Sequence, residues 1–370
     1  MGFGCADTLA ALREGRSGIA PLRYLPTSLT DVPVGEVKAS DAELSRLAKA
    51  PEGLPRTALM GMLALQEALE SAGLSSLEGI PFLNGTTVGA MDLTERTFPV
   101  ISPYHDCGAT SDLIAARFGG SPWCTTLATA CSSAANSVIL GANLLRAGKA
   151  EIVAVGGTEA LSSFHLNGFN SLMIVDRRPC RPFDATRTGL NLGEGAAFLI
   201  LETEASMRRR GVRPLGRLSG FGNACDAYHQ TASSPEGTGA YLAMSEAVRR
   251  SGIPLEAIGY VNAHGTGTPD NDAAESAALR RLFGEKMPPV SSTKAFTGHT
   301  TSACGSIEAV FSLLALQHGF LPPQLNWSTP DPACILPVQE TTEAPDLQHV
   351  LCNAFGFGGN DSSLLLSRCL

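Results

Sequence analysis

The sequence predicts an α/β protein made of two similar halves stacked as one body. Three observations carry this. Strand-like apolar runs alternate with helical runs along the chain, the pattern of mostly buried strands linked by helices. Glycine supplies 39 of the 370 residues and charged side chains only 17%, below the usual charged share of about 25%. Tight backbone packing and little charged surface follow. The long helical runs are apolar almost all round, which places them between layers. Length alone fits two domains or one duplicated one. No Pro/Ser-rich linker separates the halves, so the expected body is 1–370, with halves of about 1–203 and 214–370.

The elements follow in order. RTALMGMLALQEALESAG (56–73) has helical apolar spacing and ends in glycine. The Ala/Asn/Leu-rich run 132–148 is a second helix. EIVAVGGTEA (151–160) and GAAFLILET (195–203) are buried strands, the latter followed by a short basic helix, ASMRRRG. Helices are expected at 238–252, 270–284 and 303–319, with a strand running into a glycine-rich loop over 258–268 and a strand at 288–293. The closing VLCNAFGFGGNDSSLLLSR (350–368) reads as a hairpin of two apolar runs joined by glycines.

Composition excludes several classes. A net charge of −8 argues against a nucleic-acid surface. The apolar stretches fall short of the 18 or so residues of a membrane span, and no secretory leader opens the chain. None of the ten cysteines forms a C-x-x-C pair, which disfavours a zinc ribbon or redox motif. Reduced thiols in the cytoplasm are the expectation.

Three places set reactive side chains among small residues at strand or helix ends. In TACSSAANS, Cys131 stands at a helix start, where the macrodipole and free N–H groups favour thiolate. The plainer reading of any one cysteine is a buried core residue. In NAHGTGTPDND, His264 follows a strand, with Thr266 and Thr268 on alternate positions of a glycine loop. In SSTKAFTGHTTSACGSIEA, Lys294 and His299 precede a helix carrying Glu308. A lysine in such an apolar setting needs a partner, and Glu308 is available. A fourth string, NAFGFGGND, offers a bent backbone whose free amides can serve an oxyanion hole.

Taken together these strings resemble the elongating β-ketoacyl-acyl-carrier-protein synthases of the thiolase superfamily. TACSS, NAHGTGT, SSTKAFTGH and NAFGFGG occur in order over nearly the whole chain. The resemblance implies a thiolase-like fold, with the two α/β halves in a five-layered α-β-α-β-α arrangement. It implies a decarboxylative Claisen condensation in fatty-acid, polyene or polyketide-type synthesis. Cys131 would carry the acyl chain as a thioester. His264 and His299 would hold the enolate oxygen of a malonyl group. Lys294 paired with Glu308 would tune the field. The amides of Cys131 and Phe357 would form the oxyanion hole, and the Phe357 ring would gate the acyl pocket. Thr266 and Thr268 would bind the phosphopantetheine arm. No cofactor or metal is implied, because the carrier protein brings its own arm.

The implied partner is an acidic acyl carrier protein, which an acidic enzyme must attract through a local basic patch. Arg177, Arg178, Arg181 and Arg187 are the first candidate for that patch, and Arg208, Arg209 and Arg210 the second. A homodimer is expected, with a heterodimer of homologous subunits as the alternative. Two stretches depart from the family pattern. MGFGCADTLAALREGRSGI leaves room for at most four residues of an opening strand, and 81–120 is short. A non-catalytic sister subunit, a thiolase and an initiating synthase are the competing readings. Cys131 with both histidines, the lack of a second catalytic cysteine motif, and His299 in TGH argue against each in turn.

Overall fold

A computed structural model describes residues 2–369. In the amino-side half, strands β1 (Phe82–Gly85), β2 (Cys124–Leu127), β3 (Ile152–Glu159) and β4 (Gly195–Glu202) form a sheet of order β2-β1-β3-β4. β1 runs parallel to β2 and β3, and β4 antiparallel to β3. In the other half, β5 (Arg217–Cys225), β6 (Tyr260–Asn262), β7 (Val290–Ser291), β8 (His349–Gly356) and β9 (Asn360–Ser367) take the order β5-β9-β8-β6-β7. β6 is parallel to β7 and β8, while β9 is antiparallel to β8 and β5. Strand for strand, β1 to β4 correspond to β6 to β9. Among the described residues of these two sheets, β5 alone has no counterpart.

Eight helices complete the frame: α1 (Gly4–Glu14), α2 (Arg56–Ser71), α3 (Cys107–Arg117), α4 (Ser133–Arg146), α5 (Ser163–Ser171), α6 (Thr238–Ser251), α7 (Pro269–Phe283) and α8 (Cys304–His318). α4 and α8 pack on each other between the sheets. α2 and α3 cover the outer face of the first sheet, and α6 covers the second with α7 beside it. The result is the five-layered order, helix, sheet, helix, sheet, helix.

The middle layer explains the apolar all-round pattern. Eleven of the fifteen α8 residues are buried, since sheets lie on both sides. Phe311, Leu314 and Leu316 sit in one cluster with Val153, Val155 and Val350, each worth about 1.5–3 kcal/mol on full burial. Close approach of α4 and α8 needs small residues. A Cβ added to Gly305 would lie 2.8 Å from the Ala135 Cβ and backbone nitrogen. The opening of the chain runs directly into α1, and β4 is an edge strand. Within the short 81–120 stretch, the loop before α3 exposes Phe98, Val100 and Ile101. Among the described residues no helix is long and apolar enough to cross a membrane, and the ten cysteines are free thiols.

Candidate active site

Cys131 sits on a sharp turn between β2 and α4. Ala130 before it has φ +52°, a left-handed conformation that costs a non-glycine residue about 1–2 kcal/mol. The turn aims the thiol across the layer interface, where the Cys131 Sγ lies 3.1 Å from the His299 Nε2. Amides of Phe357 and of Cys131 itself point at the sulfur and favour its anion. Gly356 makes that approach feasible, because a Cβ there would stand 3.1 Å from the Cys131 nitrogen. The helix start was expected to lower the thiol pKa. Instead, burial pushes it up to about 11, and the nearby Lys294 charge and the two amides only partly offset burial. Removing solvent from a small anion outweighs a helix terminus at this depth. The resting group is a thiol beside a neutral imidazole nitrogen.

His264 leaves the end of β6. Its backbone N–H and that of Gly265 donate to the two carboxylate oxygens of Glu275, at 2.9 and 2.8 Å. The Lys294 Nζ is 3.2 Å from the His264 Nδ1 and 2.6 Å from the Glu308 Oε1. Burial works against the ammonium, but Glu308 outweighs it and holds Lys294 charged above the ordinary lysine range. The imidazoles of His264 and His299 meet edge to face, with centroids 5.3 Å apart. Burial, then the Lys294 charge, lowers both well below the ordinary histidine pKa. Two neutral imidazoles and one fixed cation therefore face the thiol. Neutral imidazole can take a proton at one nitrogen and donate from the other.

The remaining predicted residues divide. Phe357 follows β8 at the hairpin turn, and its ring stacks on Phe169 of α5 at 5.8 Å. Thr266 and Thr268 lie on the loop after His264, their hydroxyls 2.8 Å apart. Thr266 is buried and Thr268 half-buried. Of the four candidate docking arginines, two are interior. Arg181 pairs with Asp176 at 2.8 Å and its guanidinium donates to the Thr186 carbonyl. Arg187 pairs with Asp272 and Asp331. Both are about nine-tenths buried or more, so neither presents charge to a partner. They pin loops instead. Arg177 and Arg178 are exposed, but Arg177 pairs with the equally exposed Asp31 at 2.6 Å, which leaves Arg178 as the exposed arginine of this string with no carboxylate partner among the described residues. The second candidate patch is neutralised where it stands, by Glu204, Glu151 and Glu202 on Arg208, Arg209 and Arg210.

Sequence reasoning missed three supporting groups. Glu275 on α7 orients the His264 loop and accepts from the Asn353 Nδ2 at 3.0 Å. Glu159, fully buried at the end of β3, accepts from Thr86, Thr87 and Ser302, tying the loop after His299 to the other half. His165 is buried beside Phe169, and its charge would be felt at His299. A carboxylate inside an otherwise apolar run, as in AAESAAL and AVGGTEAL, was the available signal for the first two.

The chain was compared with known proteins on this footing. Residues 5–206 match the model of the β-ketoacyl synthase N-terminal domain, and residues 215–328 that of the C-terminal domain. A 3-oxoacyl-[acyl-carrier-protein] synthase 2 of Synechocystis sp. is 33% identical, the alignment covering 98% of this chain and 94% of that protein. The enzyme of the same name from Vibrio harveyi is 32% identical over 97% and 93%. Among solved structures, the ishigamide ketosynthase/chain length factor is similar with a TM-score of 0.90 and 30% identity, covering 99% and 96% of the two chains. A ketosynthase in complex with its chain length factor from Xenorhabdus doucetiae gives 0.82 and 32%, covering 98% and 94%. The chain belongs to the β-ketoacyl synthase family, acyltransferases that form carbon–carbon bonds.

Proposed function

We propose that this chain condenses an acyl thioester held on Cys131 with malonyl-acyl carrier protein, giving 3-oxoacyl-acyl carrier protein. The observation that carries the reading is the Cys131 Sγ at 3.1 Å from the His299 Nε2, with the amides of Cys131 and Phe357 on the sulfur. In the first step the thiol attacks the acyl carbonyl. Its proton passes to His299 and then to the departing carrier thiol, and the two amides hold the oxyanion. In the second step the malonyl C–C bond to the carboxylate breaks. CO2 leaves with the bonding electrons staying on carbon, and the enolate oxygen takes a hydrogen bond from the Nε2–H of His264, whose Nδ1 faces the Lys294 ammonium. That carbon attacks the Cys131 thioester, the C–S bond breaks, and one proton from solvent restores the thiol.

Lys294 acts through position and charge. Its contact with the His264 Nδ1 keeps that imidazole neutral and turns the other nitrogen toward the substrate. The scheme needs no metal or prosthetic group, and the buried ammonium already occupies the polar centre of the site. Thr266 and Thr268 are assigned to the phosphopantetheine arm and Phe357 to the acyl gate. Arg178, with Arg177 beside it on Asp31, supplies the exposed charge for the carrier protein. Similarity to two ketosynthases described with a chain length factor supports pairing with a homologous subunit. With Cys131, His264 and His299 all present, this chain is the catalytic member of such a pair. The exposed Phe98, Val100 and Ile101 give it apolar surface to cover. We place it in the cytoplasm.

The test is a condensation assay with malonyl carrier protein and a series of acyl carrier proteins, wild type beside Cys131→Ala. Wild type should gain the acyl mass on the Cys131 peptide and release 3-oxoacyl product, and the variant should do neither. Equal product from both would refute the assignment, and the preferred chain length would define the pathway.

A further inference from the structure

A closed ring of groups begins and ends at the Cys131 sulfur. The Phe357 amide points at the sulfur, and the Phe357 ring stacks on Phe169 at 5.8 Å. Phe169 meets His165 edge to face, with centroids 6.5 Å apart. Both stand on α5, four residues apart and so on one helix face. His165 is near enough to His299 for its charge to act there, and the His299 Nε2 returns to the sulfur at 3.1 Å. The condensation scheme uses every polar member of this ring except His165. That imidazole is only 7% exposed, and the start of α5 fixes its orientation. The Ser162 Oγ accepts from the His165 backbone N–H at 3.1 Å and lies 3.3 Å from the Nδ1. The Ser162 oxygen already serves as acceptor, so its own proton is free to be donated to the Nδ1. The ring then carries its proton on the Nε2. Among the described residues nothing accepts from that Nε2. A buried N–H without an acceptor is costly, so the acceptor comes with whatever enters the site.

We propose that His165 is a specificity-determining residue whose Nε2–H selects an acyl chain bearing a carbonyl or hydroxyl oxygen over a saturated hydrocarbon chain of the same length. The proposal rests on the reading that Cys131 carries the acyl group. A chain on that sulfur lies beside the ring of groups that His165 completes. The aromatic faces of Phe357 and Phe169 receive its carbon atoms, and the imidazole N–H receives an oxygen. A purely hydrocarbon chain laid over the Nε2 would seal the donor from water and leave it unpaired, which costs binding and rate together. A leucine at position 165 would carry no such penalty. The phosphopantetheine arm is assigned to Thr266 and Thr268, so the oxygen belongs to the acyl chain. The substrate class that follows is a partly reduced, oxygen-bearing chain.

The test uses acyl carrier protein loaded with octanoyl or with its 3-, 5- or 7-oxo analogue. Wild type, His165→Leu and His165→Gln are compared, and mass spectrometry follows acylation of the Cys131 peptide over time. The readout is the ratio of second-order rates, oxo over octanoyl, within each protein, so any misfolded fraction of a variant cancels. In wild type one oxo position should exceed octanoyl by about 5- to 150-fold, the range expected for an unpaired buried donor. His165→Leu should bring that ratio to about one or below. His165→Gln keeps an N–H near the same place and should restore most of it. A wild-type ratio near one at every position overturns the proposal, and so does a ratio that His165→Leu leaves unchanged. Octanoyl transfer to Cys131 in any of the three proteins upholds Cys131 as the acyl carrier whatever the ratio. No transfer from any of the four substrates overturns that reading, and the proposal with it.

Discussion

Removing the Lys294–Glu308 pair one partner at a time tests the electrostatic core of the site. Both side chains are almost fully buried, and they meet at 2.6 Å. Lys294→Met strands a carboxylate and Glu308→Leu strands an ammonium, and breaking a buried pair costs about 3–5 kcal/mol. Unfolding entropy near 2.1 cal/mol/K per residue gives about 0.8 kcal/mol/K for this length, so each single variant should lose about 4–6 °C in Tm. The double variant removes both charges and should lose less than either single one, because no uncompensated charge remains. Activity separates from stability in the same set. Lys294 is a named cause of the depressed pKa of both histidines. Wild-type activity should therefore stay level from pH 8 down through 6.5, with the acid limb lying below. Lys294→Met should move that limb to higher pH. Thermal scans and pH–rate profiles of the four proteins read both effects. A double variant whose loss equals the sum of the singles would show that the two charges are not coupled. An unmoved acid limb would show that the ammonium does not set the histidine charge.

Further predictions concern the docking arginines, the nucleophile and a buried acid. Arg177→Glu with Arg178→Glu should raise the KM for carrier-borne substrate several-fold and leave a pantetheine mimic unaffected. Arg181→Glu should lower stability by about 3–5 kcal/mol, since it sets a second buried carboxylate beside Asp176, and a selective KM effect there would overturn its interior assignment. Iodoacetamide labelling of the Cys131 peptide should rise about tenfold per pH unit from 7 to 10 with no plateau near 8.5, because the thiol titrates near 11. Burial, with Asp226 nearby, pushes the Asp361 carboxyl up to about 8. A folded-state pKa above the unfolded value of about 3.9 means stability is lost as pH rises between the two. Asp361→Asn should accordingly gain in relative Tm from pH 5 to pH 8 and level off above. An offset that is the same at every pH would refute the shift.

Much of the site was legible because its chemistry is carried by short strings whose residue types have few other uses. Cys131, His264, Lys294 and His299 each lie within a run of small residues at the end of a strand or helix, where side chains reach across layers. The Lys294–Glu308 pairing was readable because an ammonium in an apolar run demands a carboxylate nearby. Glu275 and Glu159 were not read. Their work is done on backbone amides of other segments, His264 and Thr87, and no local pattern announces such a contact. Arg181 and Arg187 misled for the same reason in reverse. An arginine-rich string looks like a basic surface until its carboxylate partners are known, the adjacent Asp176 for Arg181 and the distant Asp272 and Asp331 for Arg187.

The sequence by itself determined which groups can react, the order of strands and helices, and the all-round apolar character of α8. These depend on residue type and periodicity, which are local properties. The tertiary structure alone decided the charge each group carries and the surface it offers. Cys131 is a thiol and His264 and His299 are neutral because atoms from both halves of the chain exclude water from them. Arg177 faces solvent while Arg181, four residues on, does not. The open edge of β4 likewise appears only in the sheet. Strand character is written in GAAFLILE, but whether a neighbour pairs with each edge depends on segments far away in the chain.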